Sequence, residues 1–186
     1  GGGVTMMQRA LMDAYECPFA HILDDTVLEP IGMEMSTFEQ PLPDMRGRNA
    51  ARAHGTQGES CGPKWHVYPE LAAAGLWTTP TDLARFTIDV QKALQGDSER
   101  VVSAGMARLM VSPVGVGDFG LGFAVSKRGE GWYFGHGGSN LGFRAQLTAH
   151  TLKGYGAVVM TNAERGGRVA AELVARIEDA YGWDSL

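Results

Sequence analysis

The spacing of apolar residues changes once along the chain, at Pro113, and no other feature limits the fold as strongly. Before it, apolar residues recur three or four apart, the period of a helix with one buried stripe. Val4, Met7, Leu11 and Tyr15 predict a helix over 3–16. Pro18 opens a second, with Phe19, Ile22, Leu23, Val27 and Leu28 on its apolar side and Pro30 and Gly32 as its stop. Thr79-Pro80-Thr81-Asp82 is a helix start: Thr79 caps, Pro80 pre-sets φ, and Asp82 is placed to return a hydrogen bond. That helix runs through Leu83, Phe86, Val90 and Leu94 to Gly96, and a shorter one from Ser103 carries Met106, Leu109 and Met110. Residues 36–70, rich in glycine and proline, show no sustained period, and a loop of that length in a compact domain is commonly substrate-facing.

After Pro113 the period becomes two. Phe119, Leu121, Phe123 and Val125 alternate with small residues, and Trp132 and Phe134 lead into His136. Phe143, Ala145, Leu147 and Ala149 alternate with Arg144, Gln146, Thr148 and His150, one buried face and one polar. Ala157-Val158-Val159-Met160 is apolar throughout, as in a central strand over 155–162. Val169, Leu173, Val174, Ile177 and Tyr181 stripe a last helix. Helices followed by an antiparallel meander and a closing helix give an α+β fold. Residues 1–112 form its helical and loop region, lining the cleft, and 113–186 the strands and closing helix of the same domain.

At 186 residues and 44% apolar content, the chain can bury one substantial core. A net charge of −5 leaves no basic stripe for phosphates, so no nucleic acid partner is expected. No apolar run approaches a transmembrane span. Cys17 and Cys61 read as free thiols, with a single bridge as the alternative, and the five histidines have no metal-ligand spacing. No metal and no cofactor are expected. Gly58-Glu59-Ser60-Cys61-Gly62 has the letters of a nucleophile elbow without the strand before it or the helix after it, and reads as a glycine-rich loop.

The chemistry concentrates at Phe134-Gly135-His136-Gly137-Gly138-Ser139-Asn140-Leu141-Gly142-Phe143. Glycine after a polar side chain lets a substrate carbonyl approach the backbone, and the next N–H can point at a developing oxyanion. This segment and its continuation to Gly167, together with AAAGLWTTPTDLARF upstream, resemble the serine β-lactamase and penicillin-binding-protein superfamily. The likeness is to the class C β-lactamase-like branch of esterases, D-aminopeptidases and DD-peptidases. His136-Gly137-Gly138 matches the third family motif, Lys-Thr-Gly or His-x-Gly. The resemblance implies that His136 and the Ser139 N–H act in catalysis, the latter as half of an oxyanion hole, with Gly137 and Gly138 against the substrate. Trp65 and Tyr68, in a polar-aromatic cluster, either shape the substrate pocket or pack the helical region as a wall.

The first motif, Ser-x-x-Lys, is absent: Cys61, Asp89, Ala124 and His150 stand three residues before Lys64, Lys92, Lys127 and Lys153. Gly1-Gly2-Gly3 is either a cloning scar or the glycine run that follows the second motif's tyrosine. On the second reading this is the C-terminal portion of a serine hydrolase. Its N-terminal strands, which would cover the edge of 155–162, and its Ser-x-x-Lys helix would come from an N-terminal segment of the same protein. Histidine in place of the motif's lysine anchors a β-lactam carboxylate less firmly, so the expected substrate is an ester, amide or peptide. The alternative is a non-catalytic binding module that keeps the cleft wall without a nucleophile.

Overall fold

A computed structural model describes residues 1–183; residues 184–186, the end of the expected 113–186 region, lie outside the described residues. The helical part contains α1 (Gly2–Tyr15), α2 (Phe19–Leu23), α3 (Asp44–Gly47), α4 (Leu71–Ala74), α5 (Pro80–Gln95) and α6 (Ala104–Met110). Four strands follow, β1 (Ala124–Arg128), β2 (Gly131–Asn140), β3 (Phe143–His150) and β4 (Gly156–Thr161), closed by α7 (Gly166–Ala180). The strands form one antiparallel meander in the order β1-β2-β3-β4.

Thr79 starts α5 as its spacing predicts, its Oγ1 accepting the Asp82 N–H at 3.2 Å, and Gly96 ends it at φ 84°. The Asp82 carboxylate does something else. Instead of returning to the cap it accepts from the Met35 N–H (2.8 Å) and the Ser36 hydroxyl (2.9 Å) and pairs with Arg85 (2.8 Å). A buried carboxylate is tolerated because every donor near it is used, and the loop ahead of α5 is thereby tied to the helix.

α5 covers one face of the sheet. Val90 packs with Val111, Phe123, Phe134, Leu147 and Ala149, and Leu83, Phe86 and Leu94 border the same cluster. Burying side chains of this size contributes about 1.5–3 kcal/mol each. The opposite face, reached by Tyr133, holds Arg128. Its guanidinium lies 4.1 Å from the Tyr133 ring centre and donates to Glu178 of α7 (2.8 Å) and to Thr148 (3.0 Å).

Three expectations change. β1 begins at Ala124 and not near Phe119: Gly117 and Gly122 hold φ of 111° and 97°, and a Cβ at Gly120 would lie 2.2 Å from the Met110 carbonyl. Backbone folded that tightly onto the end of α6 cannot extend into a strand. β4 is an edge strand and only half-buried, because among the described residues nothing pairs with its outer side. α1 spans nearly the expected residues, but Val4, Met7 and Tyr15 of its stripe are exposed. It docks by Gln8, which donates to Pro69 O (3.2 Å) and accepts from the Ala72 N–H (2.9 Å).

Candidate active site

The candidate site is one half of one strand. β2 pairs with β3 along Tyr133–Asn140, but with β1 only as far as Gly135, opposite Ala124. From His136 onward one edge of β2 is therefore unpaired among the described residues. The direction of its backbone groups follows from the ladder. The Thr151 N–H donates to the Trp132 carbonyl at 2.9 Å, which makes Trp132–Thr151 a hydrogen-bonded pair. Antiparallel ladders alternate, so Phe134, His136, Gly138 and Asn140 also direct their N–H and C=O towards β3. Those of Gly137 and Ser139 point the other way, past the end of β1.

Side chains alternate as well, and His136 and Gly138 share the face of Phe134, on which α5 packs. His136 is exposed. Its Nδ1 lies 2.6 Å from the Gly137 carbonyl. A carbonyl needs a donor, so Nδ1 carries the proton and Nε2 is left as the outward-facing nitrogen. A hollow of about 400 Å³ borders His136 but is lined chiefly by Ser126, Arg128, Tyr133, Gly135, Gly137 and Thr148, on the face opposite its side chain, and neither Gly138 nor Ser139 lines it. A second hollow of about 450 Å³, between α1, α2 and the 38–41 segment, contains no candidate residue, so His136 does not line the larger of the two.

The glycines differ in what they are for. A Cβ at Gly135 would stand 2.3 Å from the Leu147 carbonyl, so packing alone demands glycine there. At Gly138 it would be 3.3 Å from the Ala145 Cβ, and at Gly137 only the Ala145 carbonyl lies within reach, at 3.9 Å. Among the described residues nothing crowds Gly137, and Gly138 is only closely fitted.

β2 turns into β3 through Leu141-Gly142. Gly142 has φ 72°, and its Cβ would lie 2.6 Å from that of the fully buried Ala53, so only glycine lets the turn seat against the 51–64 loop. Arg144 donates from Nη1 to the carbonyls of Asn140 and Phe143 (2.7 Å each) and from Nη2 to Glu164. Glu164 Oε2 accepts the Gly142 N–H at 2.8 Å. That backbone N–H, with the Arg144 guanidinium, holds the Glu164 carboxyl below the usual glutamate range, against an opposing contribution from desolvation. Asn140 Nδ2 donates to Ala74 O at 3.0 Å.

Trp65 and Tyr68 lie outside the His136 hollow and support this turn from behind. Trp65 packs edge-on against Trp77 (5.2 Å between centres), and Trp77 against Phe143 (6.2 Å). The Tyr68 hydroxyl accepts the Leu141 N–H at 3.4 Å. Ser60 sits in an irregular loop, accepting from Arg52 at 3.3 Å, so no nucleophile elbow forms. Both cysteines are free. Among the described residues there is no cluster able to hold a metal ion, and no helix is long and apolar enough to cross a membrane.

Sequence reading did not single out Gly135, Arg144 or Glu164. Arg144 and Glu164 stand twenty residues apart, and no local period links a strand residue to a loop beyond the next strand.

The sequence model of the family described as Beta-lactamase matches residues 2–181. The chain belongs to the β-lactamase family. The match spans every candidate residue from Trp65 to Ser139, and the four-stranded antiparallel sheet with flanking helices is the fold of its structural neighbours. SurE with D-Leu is 23% identical with a TM-score of 0.74, aligned over 98% of this chain and 43% of that one. The D-amino acid amidase from Ochrobactrum anthropi SV3, complexed with D-phenylalanine, is 18% identical with a TM-score of 0.70, over 96% and 59%. The octameric penicillin-binding protein homologue from Pyrococcus abyssi is 17% identical with a TM-score of 0.71, over 94% and 41%. The chain spans about half the length of these β-lactamase-like structures. No curated protein matches it.

Proposed function

We propose that this chain is the oxyanion-binding portion of a β-lactamase-like serine hydrolase that cleaves an ester or amide through an acyl-enzyme. The observation that supports it is the unpaired edge of β2, where the Ser139 N–H faces open space with His136 alongside. The nucleophile comes from a Ser-x-x-Lys segment outside this sequence, on the same protein. Its serine Oγ attacks the substrate carbonyl carbon and loses its proton to the adjacent base. The C=O electron pair moves onto oxygen, and that oxyanion accepts from Ser139 N–H and from the nucleophile's own N–H. Collapse expels the alcohol or amine, which takes up a proton, and water then releases the acyl group. His136, through Nε2, orients the substrate or the catalytic hydroxyls. The D-leucine bound to SurE and the D-phenylalanine bound to the D-amino acid amidase are in keeping with an amide or peptide substrate here. The same Ser-x-x-Lys segment would cover the free side of β4 and the exposed apolar stripe of α1.

The test is complementation. The chain alone should not hydrolyse p-nitrophenyl esters or nitrocefin, and a segment carrying Ser-x-x-Lys, added in trans, should restore hydrolysis and solubility together. In the complemented protein Ser139→Ala should be silent, because the backbone N–H remains. Ser139→Pro removes that N–H on an edge where no ladder bond needs it, and should lower kcat by about 10²–10³. Full activity in Ser139→Pro refutes the oxyanion role. A complemented protein that binds D-amino acid amides without hydrolysing them would make this chain the wall of a binding module.

A further inference from the structure

We infer that Glu164, acting through Arg144, is the positioning residue that sets the direction of the Ser139 N–H. β1 cannot hold this part of β2, because its last pair is Ala124 with Gly135. Gly137 and Gly138, just upstream, contribute no side chain that could wedge the strand in place. What fixes Ser139 must therefore come from β3 and from the turn. Arg144 is the residue opposite Ser139 on β3, and its Nη1 spans the two carbonyls of the closing pair, Asn140 and Phe143, at 2.7 Å each. Its Nη2 donates to one oxygen of Glu164, whose other oxygen accepts the Gly142 N–H. Glu164 is anchored in turn by its own N–H, which donates to the His54 carbonyl at 2.9 Å.

One carboxylate thus holds both the guanidinium that closes the turn and the turn's own N–H. Hydrogen bonds to charged groups are roughly twice as strong as neutral ones. Beside the ladder that pairs this half of β2 with β3, the other side-chain ties at the turn, Asn140 to Ala74 and Leu141 to Tyr68, are neutral, and the second is long at 3.4 Å. Loss of the Glu164 charge releases the Arg144 fork and weakens the hold on Gly142 together, and the outer half of β2 is then held by its ladder to β3 alone. The catalytic weight of this positioning rests on the hydrolase reading above; the positioning itself does not.

Residual dipolar couplings of backbone N–H groups in the weakly aligned full chain report the vectors directly. In Glu164→Gln the couplings of Gly137 and Ser139 should shift and shrink, while those of Tyr133 and Gly135, held by β1, keep their wild-type values. Arg144→Lys, which lacks the fork, should give the same pattern. If Glu164→Gln does not fold, titration of the wild-type chain between about pH 7 and about pH 3 makes the same measurement. The Ser139 coupling should then change with the midpoint of the Glu164 carboxyl carbon shift, with Tyr133 as the internal control. Unchanged Gly137 and Ser139 couplings in Glu164→Gln, or a Ser139 midpoint unrelated to that of Glu164, overturn the inference. In the complemented protein Glu164→Gln should lower kcat on the order of 10²-fold with KM unchanged. Absence of hydrolysis in every complemented protein sinks the functional reading, and the couplings still decide the role of Glu164.

Discussion

The two halves of β2 belong to one strand and have opposite physical characters. Tyr133–Gly135 is paired on both edges, and its Tyr133 and Phe134 are each 1% exposed. His136–Ser139 is paired on one edge only and exposed throughout. The first half makes the fold and the second leaves backbone donors free, which a strand can do only if something else holds it. Here the closed half and the clamped turn hold the open segment from its two ends. The division predicts that substitutions at the closed half act on stability, and those at the open half act on chemistry.

The largest effect should come from Phe134→Ala. Phe134 packs on Phe123 (4.9 Å between ring centres) and stands in the cluster beneath α5. Its loss should cost about 3–5 kcal/mol in urea unfolding. Gly135→Ala should follow at about 1–3 kcal/mol, because the new methyl meets the Leu147 backbone and the sheet must open to admit it. A Gly135→Ala protein as stable as the wild type would erase the boundary drawn between the two halves.

Much of the closed half was legible in advance, and little of what holds the open half. The period-two alternation of Phe143 to His150 places β3, and the Thr79 cap and Gly96 stop place α5 almost to the residue, because both signals are local. The family was legible from His136-Gly137-Gly138 and its flanks. The start of β1 was not, since Phe119 and Leu121 carry the right period on a backbone that Gly117, Gly120 and Gly122 bend. Nor was the use of Asp82 and Glu164: each carboxylate is placed by donors far along the chain, and Glu164 takes its N–H from Gly142, twenty-two residues away. The apolar character of β4 suggested a central strand with neighbours on both sides, but only β3 supplies one among the described residues.

The pH dependence of the turn should be smaller than either core effect, since Arg144 and Glu164 are 21% and 26% exposed. The Glu164 carboxyl sits below its ordinary value in the folded chain, held there by the Gly142 N–H and by Arg144. At low pH the unfolded chain therefore binds more protons than the folded one. The stabilisation from Glu164 is complete above the ordinary glutamate pKa of about 4.3 and disappears as pH falls through the lower folded value. The gap in urea midpoint between wild type and Glu164→Gln should be constant from neutral pH down to about 5 and then close on further acidification. A gap that persists at the acid end would mean that Glu164 contributes by shape rather than by charge.

The smallest effects on stability, and the sharpest on mechanism, should come from the two glycines of the open half. Gly137→Ala places a methyl 3.9 Å from the Ala145 carbonyl, an ordinary contact, and removes backbone freedom from the unfolded chain. Its stability should match the wild type or exceed it by up to about 1 kcal/mol. Gly138→Ala brings a methyl to 3.3 Å from the Ala145 Cβ, which a small local shift can accommodate, so its cost should stay near 1 kcal/mol. The two differ in the face they occupy. Gly138 shares the face of His136, where the substrate carbonyl must approach, whereas Gly137 projects to the side of Tyr133 and Arg128. In the complemented protein Gly138→Ala should therefore lose hydrolysis while still melting cooperatively, and Gly137→Ala should retain it. Equal loss in both variants would show that the substrate spans both faces of the edge. Full activity in both would mean that the reacting carbonyl never approaches this backbone, and the open half of β2 would need another explanation.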